Sequence, residues 1–275
     1  MIPLSDLLHA LNNNQSLPSS SVVLTFDNGY ANNAAAALPC LRDAGVTASF
    51  FLSTSYIDTE RGPWHDQIEQ VLCASRNEHV LARIGSDQPP LPLATTEDRG
   101  HALRVIRDFC SRLPDGEKER WLSSFFETNG MERPGAVGNY RFMTWDQARE
   151  IYAAGMSVGS QTVSHTVVTR LSGREMLREL SEARLACEEA LGVACEAFAY
   201  PGGGPSEFNE VSGALLRRLE FSCGLTNVHG LNAPGADPFT LKRIHVRDGT
   251  SVAELEAHLS GFSGFLRNGL RRHRR

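Results

Sequence analysis

The chain has 275 residues, 41% of them hydrophobic and 21% charged, with a net charge of −5. That is enough apolar material for a proper core, and nothing global favours nucleic acid or an anionic membrane as partner. Six cysteines with no CxxC pair read as reduced thiols rather than a disulfide framework, and no run approaches the roughly 18 apolar residues a spanning helix needs. The opening MIPLSDLLHALNNNQ has no basic segment followed by a long apolar stretch, so the expected location is the cytoplasm.

In chain order, VVLTF (22–26) is a β-branched run and a candidate strand. ANNAAAALPCLRDAG (31–45) follows as a helix with a glycine stop, and TASFFLST (47–54) is a second strand. Strand, helix, strand at this spacing is a βαβ unit, which implies a parallel sheet. SDQPPLPLATTEDR (86–99) is a Pro-rich loop, and behind it HALRVIRDFCSRL and EKERWLSSFFETNG carry apolar residues at helical spacing. The pattern then resumes. Thr144 and Gln147 form a capping box for a helix that Gly155 ends, before a short strand at 156–161. Ser172 and Glu175 form another, for a helix to Leu191. EAFAYP (196–201), FSCGLT (221–226) and LKRIHV (241–246) are further strands, and Ser251 with Glu254 caps a last helix. Repeated βα units over about 250 residues predict a barrel-like α/β fold. The expected organisation is a single domain over 1–266, with a helical excursion at about 67–135. A basic tail, RNGLRRHRR, follows at 267–275 and reads as a solvated terminus.

In such folds chemistry gathers where strands end. Four strand ends carry polar or special residues: Asp27-Asn28-Gly29, Gln161 through His165, Tyr200-Pro201-Gly202, and Arg243 with His245. Singly, each has a structural explanation: Asp, Asn and Gly all favour turns, and a histidine can be a hydrogen-bonded core residue.

Together they resemble a family. TFDNGY resembles the TFDDG motif of the polysaccharide deacetylases, the NodB-homology or carbohydrate esterase family four proteins. GSQTVSHTVVTRLS resembles their G-S-H-T-x-S-H-x-x-L segment, and RFMTWDQAREIYAAGMSVGS the stretch before it. FAYPGGG is similar to their third motif, GLNAPGADPFTLKRIHV to a closing segment, and GPWHDQIEQVL to a loop carrying a Trp-Trp-Asp sequence. The resemblance implies a distorted (β/α) barrel of about seven parallel strands with a helical insertion. It also implies hydrolysis of the acetamide on N-acetylated amino sugars in bacterial surface-glycan metabolism, on a saccharide or glycan precursor. Carried position by position, Asp27 matches the general base and His165 a metal-binding histidine. The Gly202 backbone N–H would face the oxyanion, with Pro201 shaping the pocket wall, and Tyr30, Trp64 and Asp66 would contact substrate. His245 is the first candidate for the general acid and His229 the second.

Two positions depart from the pattern. The metal-binding aspartate is Asn28 and the first metal-binding histidine is Gln161. An amide offers a dication only a carbonyl dipole, where carboxylate and imidazole offer strong donors. Structural zinc sites bind with about 10–16 kcal/mol over four ligands, roughly 3 kcal/mol each, so losing two weakens binding by about four orders of magnitude. The expected cofactor is therefore a weakly held divalent metal, Zn²⁺ or Co²⁺, below full occupancy. Two readings stand: a sugar-binding pseudoenzyme with impaired metal-dependent activity, and an active N-deacetylase using Asp27 with a weak or atypical metal site.

Overall fold

The computed structural model describes residues 1–13, 15–85, 89–247 and 249–261. The chain divides into two compact units, one formed by Met1–Asp58 with Met143–Arg275 and the other by Thr59–Phe142. The helical excursion expected at about 67–135 thus begins and ends several residues further out. The basic tail at 267–275 lies outside the described residues.

The first unit opens with helix α1 (Leu4–Asn12), strand β1 (Leu24–Phe26), helix α2 (Leu38–Ala44) and strand β2 (Ala48–Leu52). The helix expected over 31–45 is split. Asn33–Ala37 forms a wide π turn before α2 takes over. That turn ends two residues before Pro39, which has no N–H to donate back to Ala35. Gly45 ends α2 in the left-handed region, φ 63°, as its lack of a Cβ allows.

The second unit holds helix α3 (Trp64–Ala74), strands β3 (His79–Val80) and β4 (Leu91–Pro92) in an antiparallel pair, and helices α4 (Thr96–Arg112) and α5 (Asp115–Thr128). Its core is Ile68, Leu72, Ile106, Leu122, Phe125 and Phe126, with further buried neighbours. Two expectations change here. GPWHDQIEQVL is mostly helix α3 rather than a loop. Helix α4 begins five residues before HALRVIRDFCSRL, because Thr95 and Asp98 form a capping box within the expected loop.

The first unit resumes with α6 (Trp145–Ala153), β5 (Ser157–Ser160), α7 (Gly173–Leu191) and β6 (Ala197–Ala199). It ends with α8 (Glu210–Arg218), β7 (Cys223–His229), β8 (Leu241–Arg243) and α9 (Val252–Leu259). Both expected capping boxes, at Thr144/Gln147 and Ser172/Glu175, are formed. Six strands make one parallel sheet in the order β1-β2-β5-β6-β7-β8, the distorted (β/α) barrel expected, with six strands among the described residues against about seven. Alternation along β6 divides the faces. Phe198 and Tyr200 pack on α7 and α8 with Leu180 and Leu216. Ala197 and Ala199 turn the other way, onto Leu4 and Leu8 of α1 together with Phe51, Leu225 and Leu241. Helix α1 thereby fills the face that α7 and α8 leave open. The strands approach closely at β5, where a Cβ on Gly159 would lie 2.4 Å from the Ala197 carbonyl oxygen.

Candidate active site

The strand ends bring Asp27 and Arg243 together. Asp27 follows β1 directly and Arg243 is the last residue of β8, at the two edges of the sheet. The guanidinium grips both carboxylate oxygens, Nη1 to Oδ1 at 2.7 Å and Nη2 to Oδ2 at 2.8 Å. It also donates from Nε to the Thr226 carbonyl at 2.8 Å and from Nη1 to Thr25 Oγ1 at 3.3 Å. A planar fork matched to a carboxylate fixes orientation as well as charge. Each carboxylate oxygen keeps a lone pair beyond the one Arg243 uses, so Asp27 can still accept a proton from water.

Beside Asp27, the Gln161 side chain is tied to the Asn28 backbone. The Asn28 backbone N–H donates to Gln161 Oε1 at 2.7 Å, and Asn28 Nδ2 donates to the Tyr30 hydroxyl at 3.1 Å. Asn28 has φ 74°, a left-handed conformation that asparagine tolerates better than most residues. Gln161 follows β5, is 1% exposed, and donates its own N–H to the Leu52 carbonyl.

Four residues on, His165 is also left-handed, φ 57°. Burial holds its imidazole down at about 4 from the ordinary 6.5, while the charge of Asp27 pulls it the other way. The neutral form of an imidazole is the one that binds a cation or takes up a proton. Because the folded-state value lies below the unfolded one, stability is intact above about pH 6.5 and declines as pH falls toward about 4. His165→Gln is expected to flatten that acid limb in urea titrations run between these two values.

The loop that carries His165 is held by a residue the sequence reading passed over. Glu179 of α7, 6% exposed, accepts the N–H groups of Val163 and Ser164, each at 2.9 Å, and the Ser164 hydroxyl at 2.9 Å. The signal was present: Glu179 falls on the buried stripe of α7 with Met176, Leu180, Ala183 and Cys187, and a carboxylate on an apolar face needs partners. Glu179→Ala strands both N–H groups and is expected to lower stability by about 2 kcal/mol in chemical denaturation.

The third segment follows β6. Pro201 is buried, while Gly202 is exposed. Gly202 and Gly203 have φ 71° and 66°, and a Cβ on Gly202 would lie 2.4 Å from Glu207 Oε2. The Glu207 carboxylate therefore fills the space beside the residue expected to face an oxyanion, and it accepts the Gly204 N–H at 2.8 Å.

Strand β8 stops at Arg243 rather than 246, which leaves His245 in exposed irregular chain. His229, at the end of β7, packs edge-on against His258 of α9 with ring centroids 4.8 Å apart. Trp64 and Asp66 belong to the second unit, in the first turn of α3. Asp66 is 3% exposed and 3.6 Å from His65, and the Trp64 ring lies beneath Lys118 Nζ, 5.6 Å from its centroid.

Which residues could hold a metal follows from the donors. At the expected positions stand one imidazole and two amides, and Gln161 Oε1 already accepts the Asn28 N–H. Among the described residues no group of three His, Cys, Asp or Glu side chains is placed to hold an ion. This donor set does not fit a tetrahedral zinc centre.

A family model described as polysaccharide deacetylase matches residues 14–103 and 117–224. A search of curated proteins finds no match. Among solved structures, the chain is similar to a deacetylase of Streptococcus pyogenes, PplD in complex with acetate, at 16% identity and TM-score 0.59, covering 94% of this chain and 78% of that one. It is similar to IcaB of Ammonifex degensii at 17% identity and TM-score 0.59, over 94% and 81% of the two chains. A de-N-acetylase from Aggregatibacter actinomycetemcomitans matches at 17% identity and TM-score 0.56, over 94% and 82%. With more than half of its length matched by the family model, and with the family's barrel, the chain belongs to the polysaccharide deacetylase family.

Proposed function

We propose that this protein acts on or binds N-acetylated amino sugars in bacterial surface-glycan metabolism, and that Asn28 and Gln161 impair its metal-dependent hydrolysis. The observation that carries the reading is the hydrogen bond from the Asn28 N–H to Gln161 Oε1. It joins the two replaced positions to each other and engages a carbonyl oxygen that would otherwise face a cation. Sugar as the ligand class is supported by the family, polysaccharide deacetylase.

An active N-deacetylase with a weak or atypical metal site is the second reading. It is favoured by Asp27, held at the barrel mouth with both oxygens oriented, and by the neutral His165. In that reading Asp27 takes the proton from the attacking water. Elemental analysis of the purified protein, paired with acetate release from N-acetylglucosamine oligomers, separates the two. The expected result is sub-stoichiometric metal and oligomer binding without measurable release. Stoichiometric metal with turnover would overturn the first reading in favour of the second.

A further inference from the structure

We propose that Asn227 is a positioning residue that ties the Asp27–Arg243 pair to the glycine loop at Gly202 and Gly203, so that base and oxyanion-facing backbone are held as one body. This deepens the reading above and rests on it for the roles of Asp27 and Gly202. Asn227 is the first exposed residue of β7 after a buried run. It falls where the β7–β8 register shifts, between the Leu225/Leu241 and His229/Arg243 pairs. Such irregularities re-aim side chains next to sites.

Three of its four polar groups point into site elements. Oδ1 accepts from Arg243 Nη2 at 2.9 Å. Nδ2 donates to the Gly202 carbonyl at 2.7 Å, and the backbone N–H donates to the Gly203 carbonyl at 2.8 Å. A Cβ on Gly203 would lie 2.6 Å from the Asn227 nitrogen, so the close approach of loop and strand depends on glycine there. An exposed asparagine that only filled a strand position would turn its amide to water. Here the planar amide presents an acceptor to a cation and a donor to a carbonyl, back to back. Aspartate lacks the donor, and serine is too short to span both. The result is a relay of hydrogen bonds from Asp27 through Arg243 and Asn227 to the Gly202 carbonyl.

The test is a double-mutant cycle read by amide NMR. Asp27→Asn is expected to shift the Gly203 and Gly204 amide signals in the otherwise native chain and to leave them in place in an Asn227→Ala background. Equal shifts in both backgrounds would overturn the relay. Asn227→Asp keeps the acceptor for Arg243 and removes the donor to Gly202, so it is expected to abolish the Asp27-dependent shift as well; a persisting shift overturns the assignment. A chitotetraose titration adds a functional readout. Loss of the Asn227 amide is expected to weaken binding about tenfold, the worth of one to two neutral hydrogen bonds, and equal affinity would count against positioning. If the native chain binds no chitotetraose at all, the sugar reading fails while the cycle on the glycine signals still decides the relay.

Discussion

With Asn28→Asp and Gln161→His introduced together, Zn²⁺ affinity measured by calorimetry is expected to rise by about four orders of magnitude over the native chain. The double substitution restores a carboxylate and an imidazole beside His165, giving three strong donors where one stands now. It also removes the acceptor of the Asn28 N–H, which costs about 1 kcal/mol, far less than two strong ligands supply. Each single substitution should recover only part of the gain. Unchanged affinity in the double variant would show that positions 28 and 161 are not where the family's ligands map, and the proposed impairment would lose its basis.

Arg243→Met is expected to destabilise the fold by about 3 kcal/mol, measured by urea denaturation. The guanidinium makes five hydrogen bonds, to Asp27, Thr25, Thr226 and Asn227. Its side chain is 12% exposed and that of Asp27 is 25% exposed, which puts the loss at the low end for a buried pair. Arg243→Lys keeps the charge but not the fork, and should recover less than half of the loss. Asp27→Asn should cost less than Arg243→Met, because the amide oxygen still accepts one bond. A loss below 0.5 kcal/mol for Arg243→Met, the scale of an ordinary surface substitution, would mean that the pair is ornamental to stability.

Local chemistry was legible in the sequence where neighbours decide it. Thr144 with Gln147 and Ser172 with Glu175 lie three residues apart, and both boxes formed as read. The apolar runs at 22–26 and 196–201 became strands whose ends carry motif residues. Contacts across the barrel were not legible. Arg243 and Asp27 are 216 positions apart, and only the sheet order brings β8 round to β1. Nothing nearby in sequence announces that β8 stops at Arg243, or that Arg243 is the side chain that meets Asp27. Asn28 and Gln161 were legible as departures from a motif. Their hydrogen bond to each other was not, since it needs the Asn28 backbone in a left-handed turn. Glu179 lay between these cases, marked by its place on an apolar stripe but with partners only the fold supplies.

The sheet is laced by backbone bonds between every neighbouring pair of strands in its order, whereas β1 and β8 meet through side chains alone among the described residues. A cylinder stitched that way has a weakest line, and it runs through the Asp27 carboxylate. Breathing should start there: amide protons of Thr25 and Arg243 should exchange with solvent deuterium sooner than those of Phe50 or Phe198 in the middle of the sheet. Whatever occupies the mouth and bridges both edges would then act as a clasp and slow that exchange.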